Sequence, residues 1–155
     1  MKKENKFIDL IESILKSCEK QYITYAIVNS KCKLEDLLLL RDIDILIEKR
    51  NLKKLINNII EYCFLNDLEI KKINYCSTWI NIYITNPLNN SLIQIDLISE
   101  LRFVFTNIMP INNCLKNRDN FNGIYFLNDN DLNYFRNKRI HLINRFKLKN
   151  CSKAE

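Results

Sequence analysis

The chain has 155 residues, six cysteines, one histidine and a net charge of +6. This length suits one domain that buries a core without disulfides. The cysteines form no CxxC pair, and a lone histidine excludes most His-rich metal sites. Without a signal peptide or a long apolar span, the sequence predicts a cytoplasmic protein with no membrane partner. Its dispersed positive charge permits a polyanionic partner but does not point to nucleic acid.

The first half of the chain alternates predicted helices and strands. Apolar residues at helical spacing predict an amphipathic helix over 5–19, and a strand follows at about 22–28. Residues 31–40 fit either a helical turn or a loop. A second strand over 42–48 and a second helix over 51–64 come next. This order of elements favours an α/β or α+β sheet.

The second half predicts a hairpin. Strands are expected over 69–75 and 79–85, and the Pro and Asn content of 86–90 is typical of a turn. A hairpin over about 78–98 would then return the chain to the central strand, with Asp96 opposite Ile80 or its neighbour.

The last third predicts less regular structure and a final helix. Residues 100–118 are ambiguous, and 123–127 form a short strand. Asn128 or Asp129 caps a helix over 129–146, followed by a basic, frayed tail over 147–155. The residues of this helix expected to face inward are Leu132, Phe135, Ile140 and Ile143.

Two isoleucine-rich strands carry aspartates. Period-two alternation in the segment 42–48 puts Asp42 and Asp44 on one face and the isoleucines in a core. Adjacent like charges are unfavourable unless a cation lies between them, and carboxylates are ligands that Mg²⁺ prefers. Asp96 lies in the similar run 92–98, so the hairpin would bring three aspartates together. A solvated acidic face is the alternative interpretation.

These motifs resemble a known enzyme superfamily. A strand ending in Asn29-Ser30, a spacer of eleven residues, the Asp42-Ile-Asp44 motif and a later lone Asp96 resemble the polymerase-beta-like nucleotidyltransferases. Within them, the chain is most similar to poorly characterised bacterial nucleotidyltransferases associated with surface-polysaccharide genes. The resemblance also includes the Gly-Ile-Tyr-Phe-Leu run at 123–127 and spans roughly residues 20 to 145.

The resemblance implies an α+β fold with a mixed, mostly antiparallel sheet and flanking helices, in one domain whose core is 20–127. It also implies transfer of a nucleoside monophosphate from a nucleoside triphosphate to a hydroxyl of a protein, sugar or other acceptor. Asp42, Asp44 and Asp96 would hold two Mg²⁺ or Mn²⁺ ions, and Ser30 would bind a phosphate. Asn29 replaces the glycine that the superfamily has before this serine, which puts close phosphate contact in doubt.

Four basic residues are candidates for neutralising phosphate charge because of their place in the sequence. They are Lys31, Lys33, Arg41 and, as a weaker candidate, Arg102. Each is more often a solvated surface residue. Trp79, Tyr125 and Phe135 are candidates for stacking a base, although core packing is the favoured interpretation.

Two further interpretations stay open. Many members of the superfamily carry a helical domain that supplies base and acceptor contacts. Here only the last predicted helix could serve, so a homodimer or a helical protein partner would complete the groove. It could instead be a catalytically degenerate subunit that keeps the three aspartates and acts through a partner. A small RNA-binding module is the weakest alternative, because no cluster of arginine and aromatic residues stands out.

Overall fold

Nine strands, five α-helices and a short 3-10 helix over Lys49–Asn51 are present in the part of the chain that this computed structural model describes, residues 6–103 and 106–151. Side chains are described there except at 38, 102–103, 106–107 and 143–151. The strands are β1 Tyr25–Ile27, β2 Asp42–Ile47, β3 Glu69–Tyr75, β4 Trp79–Asn86, β5 Ser91–Ile98, β6 Leu101–Phe103, β7 Thr106–Met109, β8 Asp119–Phe121 and β9 Ile124–Phe126. The helices are α1 Lys6–Lys20, α2 Leu34–Leu39, α3 Leu52–Leu65, α4 Ile111–Lys116 and α5 Asp129–Cys151.

Seven strands form one mixed sheet in the order β3-β4-β5-β2-β1-β9-β8, and β6 pairs with β7 in a separate ribbon. Neighbouring strands of the large sheet are antiparallel except at β2–β5 and β1–β9. Helices flank the sheet, which confirms the predicted fold class. None of the helices within the described ranges is long and apolar enough to span a membrane.

The two faces of the sheet carry different layers. Ile43, Ile45 and Ile47 of β2 are buried in the larger core, which also contains the apolar sides of α1 and α3. Leu46 points the other way into a smaller core, built with residues of α4, α5 and the β6–β7 ribbon. Since Asp42 and Asp44 alternate with the isoleucines, they lie on the face that this smaller layer only partly covers.

The observed elements agree with most of the predicted ones, and the differences are local. The first strand is shorter than 22–28, and the open segment 31–40 contains α2. The ambiguous segment 100–118 contains a ribbon and a helix, because its apolar residues cover the second face of the sheet. An Asn122-Gly123 turn with positive φ at both residues joins β8 to β9.

The final helix departs from its prediction in two ways. It continues to Cys151 instead of fraying from residue 147. The start of the helix is as predicted, since Asn128 Oδ1 accepts the Asp131 backbone N–H at 2.9 Å and so caps it. Ile140, predicted to face inward, is 56% exposed, whereas Leu132 is buried as expected. The Ile143 side chain lies outside the described residues.

Candidate functional site

Three aspartates meet on two adjacent strands. β2 and β5 are parallel neighbours, and Asp44 lies directly opposite Asp96, while Asp42 lies opposite Gln94. One carboxylate oxygen from each aspartate lies within 4.8 Å of those from the other two. The predicted adjacency of Asp96 to the central strand is therefore confirmed. Its antiparallel partner on β4 is Asn81, one residue from the predicted Ile80.

The alternation of both strands explains this convergence. In β5, Ile93, Ile95 and Leu97 are buried in the larger core, as the isoleucines of β2 are. The residues between them, including Asp96, must then face the opposite side, where Asp42 and Asp44 also lie. The turn at 87–90 reverses the chain after β4, so β5 returns between β4 and β2.

The electrostatics of the cluster are unfavourable without a cation. Partial burial, followed by repulsion from Asp42 and Asp96, raises the pKa of Asp44 from 3.8 to about 7, and Arg139 partly opposes the rise. Burial and the Asp96 charge also raise the pKa of Asp42. Gln94 Nε2 donates a hydrogen bond to Asp96 Oδ1 at 2.9 Å and so orients that carboxylate.

A cleft of about 480 Å³ contains the cluster. Its floor is the exposed face of β2, β5 and β4, and its walls come from α5 and from the start of β6. The lining residues besides the aspartates are Trp79, Asn81, Tyr83, Gln94, Ile98, Glu100, Leu101, Phe135 and Arg139. Among the described residues, the cleft thus combines carboxylates, aromatic rings and the guanidinium group of Arg139.

Asn29 and Ser30 follow β1 at its end nearest the carboxylates. The Val28 N–H donates to the backbone oxygen of Asp44 at 2.9 Å, so the chain leaves β1 beside the cluster. Asn29 Oδ1 accepts the Ser30 N–H at 2.8 Å, which occupies the amide that a phosphate would need. Ser30 is exposed and does not line the cleft, and Asn29 does not adopt a positive φ.

Lys31 and Lys33 lie away from the cleft. Lys31 Nζ forms ion pairs with Asp119 at 2.8 Å and Asp129 at 3.2 Å, and these hydrogen bonds raise the pKa of the lysine. It thereby links β8 to the start of α5. Lys33 lines a separate groove between α1 and the β8–β9 turn at Gly123.

The two candidate arginines do not contribute a described side chain to the cleft either. Arg41 is exposed and has a φ of +58°. Its backbone oxygen accepts the Gln94 N–H at 2.9 Å, which aligns β5 with the start of β2. The Arg102 side chain lies outside the described residues, so its role stays a prediction.

Arg139, a cationic residue that lines the cleft in the described part of the chain, was missed. Arg139 follows Leu132 and Phe135 by seven and four residues, so the three occupy one stripe of α5. This stripe, rather than the one through Ile140, faces the sheet. The spacing is visible in the sequence, but an isoleucine is the more obvious inward residue.

The three candidate aromatic residues have different environments. Tyr125 packs edge-on against Tyr25, with ring centres 5.7 Å apart, and the Arg118 guanidinium lies 4.3 Å from its ring centre. Phe135 is half-buried at the cleft wall. Trp79 is 42% exposed, so the favoured interpretation of it as a core residue was wrong.

Comparisons with known proteins add nothing to this geometry. Searches with the chain match no protein-family model, no curated protein and no solved structure.

Proposed function

We propose that this protein is a nucleotidyltransferase dependent on a divalent cation. It would transfer a nucleoside monophosphate from a nucleoside triphosphate to a hydroxyl acceptor. The observation that carries the proposal is the convergence of Asp42, Asp44 and Asp96 within one cleft. The motif resemblance to the polymerase-beta-like superfamily supports the same reaction, since the three aspartates occupy the matching sequence positions.

The donor set fits Mg²⁺ or Mn²⁺. All three side chains offer carboxylate oxygens, the ligands of hard cations. Burial and then the charges of Asp42 and Asp96 raise the pKa of Asp44 to about 7, and a bound cation would favour its ionised form. When bound, such cations stabilise the attacking and leaving oxygens of an in-line displacement at phosphorus.

The chain's own residues would have separate roles in this reaction. Asp96, oriented by Gln94, is the carboxylate that we assign to the acceptor hydroxyl and its proton. The hydroxyl oxygen then forms a bond to the α-phosphorus, and pyrophosphate leaves with the electron pair of the broken P–O bond. Arg139 faces the carboxylates across the cleft and would bind phosphate oxygens, a role for which its guanidinium is suited.

Specific observations favour a second candidate, a catalytically degenerate subunit that acts through a partner. The Ser30 amide is already hydrogen-bonded to Asn29, and Lys31 is paired with two aspartates outside the cleft. Such a subunit would retain the carboxylates but lack the contacts that hold a triphosphate.

Calorimetry separates these candidates. The protein is titrated with Mg²⁺ alone, then with ATP, GTP, CTP and UTP at saturating Mg²⁺. An enzyme binds at least one triphosphate, and Asp96→Asn weakens this binding, whereas Asp67→Asn, an equal charge change at an exposed turn, does not. Binding of no triphosphate, with or without binding of Mg²⁺, would refute the enzyme and favour the degenerate subunit.

Among the described residues outside the seven-stranded sheet, those that line the cleft belong to α5 and to residues 100–101. We therefore propose that a second copy or a helical protein supplies the remaining acceptor contacts, which size-exclusion chromatography with and without nucleotide would test. The cytoplasmic location stays a prediction.

A further inference from the structure

The cleft has an aromatic end as well as a carboxylate end. Trp79 is the first residue of β4 and lies opposite Ile98 of β5, two positions along the strand from the Asn81–Asp96 pair. Two residues of a strand span about 7 Å. The backbone of Trp79 therefore lies beyond that of Asp96 by a distance comparable to the ribose that separates the phosphates of a nucleotide from its base.

The indole ring is held in place although it is exposed. Its Nε1 donates a hydrogen bond to Asn81 Oδ1 at 3.2 Å. The Cys76 N–H donates to the backbone oxygen of Trp79 at 2.9 Å, and both the N–H and the hydroxyl of Ser99 donate to the oxygen of Thr78. The backbone bonds fix the chain on either side of Trp79, and the Nε1 bond favours one orientation of the ring before a ligand arrives.

Along the cleft, the three aspartates lie at one end and Trp79 at the other, as the phosphates and the base lie at the two ends of a nucleotide. The carboxylates and Arg139 lie where phosphates and their cations would bind. Trp79, a residue that is 42% exposed, lines the same cleft. Tyr125, by contrast, is engaged by Tyr25 and Arg118, so its ring faces are not comparably available.

We propose that Trp79 is the nucleobase-binding residue of this cleft, with the base stacked on its indole ring while the phosphates lie at the aspartates and Arg139. This inference rests on the proposed function, because it takes a nucleotide as the ligand. Stacking on an aromatic face discriminates weakly between bases. Purines, with the larger ring system, bind more tightly than pyrimidines at this residue.

The test uses the fact that Trp79 is the chain's only tryptophan. Emission excited at a wavelength that selects tryptophan is recorded during titration with ATP, UTP or inorganic triphosphate at saturating Mg²⁺. Base stacking predicts quenching by ATP, weaker quenching by UTP, and little change with inorganic triphosphate. Calorimetry on the same samples shows whether each compound binds.

Variants separate stacking from a general effect on the cleft. Trp79→Ala is expected to weaken ATP binding roughly 5-fold to 100-fold while leaving inorganic triphosphate unchanged. Trp79→Phe, which keeps a ring, loses less. Tyr75→Ala removes an exposed ring outside the cleft lining and should change neither affinity. Circular dichroism checks that each variant is folded.

Two results would overturn the inference, and they differ in what else they imply. If ATP binds by calorimetry without quenching, and Trp79→Ala binds it as tightly as the wild type, the base lies elsewhere and the proposed function survives. If neither ATP nor inorganic triphosphate binds in the presence of Mg²⁺, the nucleotide-binding function fails, and the role of Trp79 fails with it.

Discussion

Replacing Asp44 by asparagine should stabilise the folded chain at alkaline pH when no divalent cation is present. The fold raises the pKa of this carboxyl from 3.8 to about 7, first through burial and then through Asp42 and Asp96. The folded state therefore binds more protons than the unfolded state between these values. The stability associated with this group is complete below about pH 4 and is lost as the pH rises through 7.

The magnitude follows from the pKa change. Each tenfold change in proton affinity is worth 1.36 kcal/mol, so ionised Asp44 destabilises the fold by up to roughly 4 kcal/mol at alkaline pH. Asp44 is only partly buried, and asparagine also loses some hydration in the fold. We therefore expect Asp44→Asn to gain about 1–3 kcal/mol more in the free energy of unfolding at about pH 8 than at about pH 5.

Urea unfolding in a chelating buffer at the two pH values measures this difference, with Asp67→Asn as the exposed control. Addition of Mg²⁺ should then stabilise the wild type, because ligand binding to the folded state raises the free energy of unfolding. The variant should gain little. A gain equal at both pH values, or a variant less stable than the wild type at about pH 8, would refute the electrostatic account of the cluster.

Three other substitutions test separate parts of the structure. Arg139→Gln should raise the pKa of Asp44 further and weaken triphosphate binding about 10-fold to 100-fold. If calorimetry finds that the variant binds both Mg²⁺ and triphosphate as the wild type does, Arg139 is not part of the phosphate site. Gly123→Ala should lower the free energy of unfolding by about 1 kcal/mol, because φ at this position is +82°, although no atom lies within 4 Å of the new Cβ. Gly123→Asn should lose less stability, and equal losses of stability in the two variants would point to a cause other than the backbone angle. Lys31→Met should lower the melting temperature slightly at low salt but not at high salt, since the ion pairs of Lys31 are exposed. Weaker nucleotide binding in this variant would instead place Lys31 in the nucleotide site.

Much of the candidate site could be predicted because it depends on strand alternation. A run such as Asp42-Ile-Asp44-Ile has one low-energy orientation on a buried sheet, with the isoleucines inward and the carboxylates outward. The same rule orients Asp96 within β5, and the turn signals at 86–90 indicate that β5 returns along β4. The pairing of β5 with β2 was the one long-range assumption, and the structure confirms it.

The basic residues could not be assigned in this way. Lys31, Lys33 and Arg41 were candidates because they lie near Ser30 and Asp42 in the sequence. In the fold, the side chains in this stretch diverge, and Lys31 reaches residues 88 and 98 positions away. Closeness in sequence constrains the backbone to within a few residues, but it does not determine which way a long, flexible side chain extends.

By itself, the sequence determined most strands of the sheet, although not β8, and the face on which the aspartates stand, because burial of alternate isoleucines is a local constraint that each strand satisfies alone. Only the tertiary structure decided what lies opposite that face. The rotation of α5 that brings Arg139 and Phe135 over the carboxylates depends on how the helix packs into the smaller core through Leu132. That packing depends on which apolar surfaces, far apart in the sequence, fit together best, and no single stretch of the chain determines it.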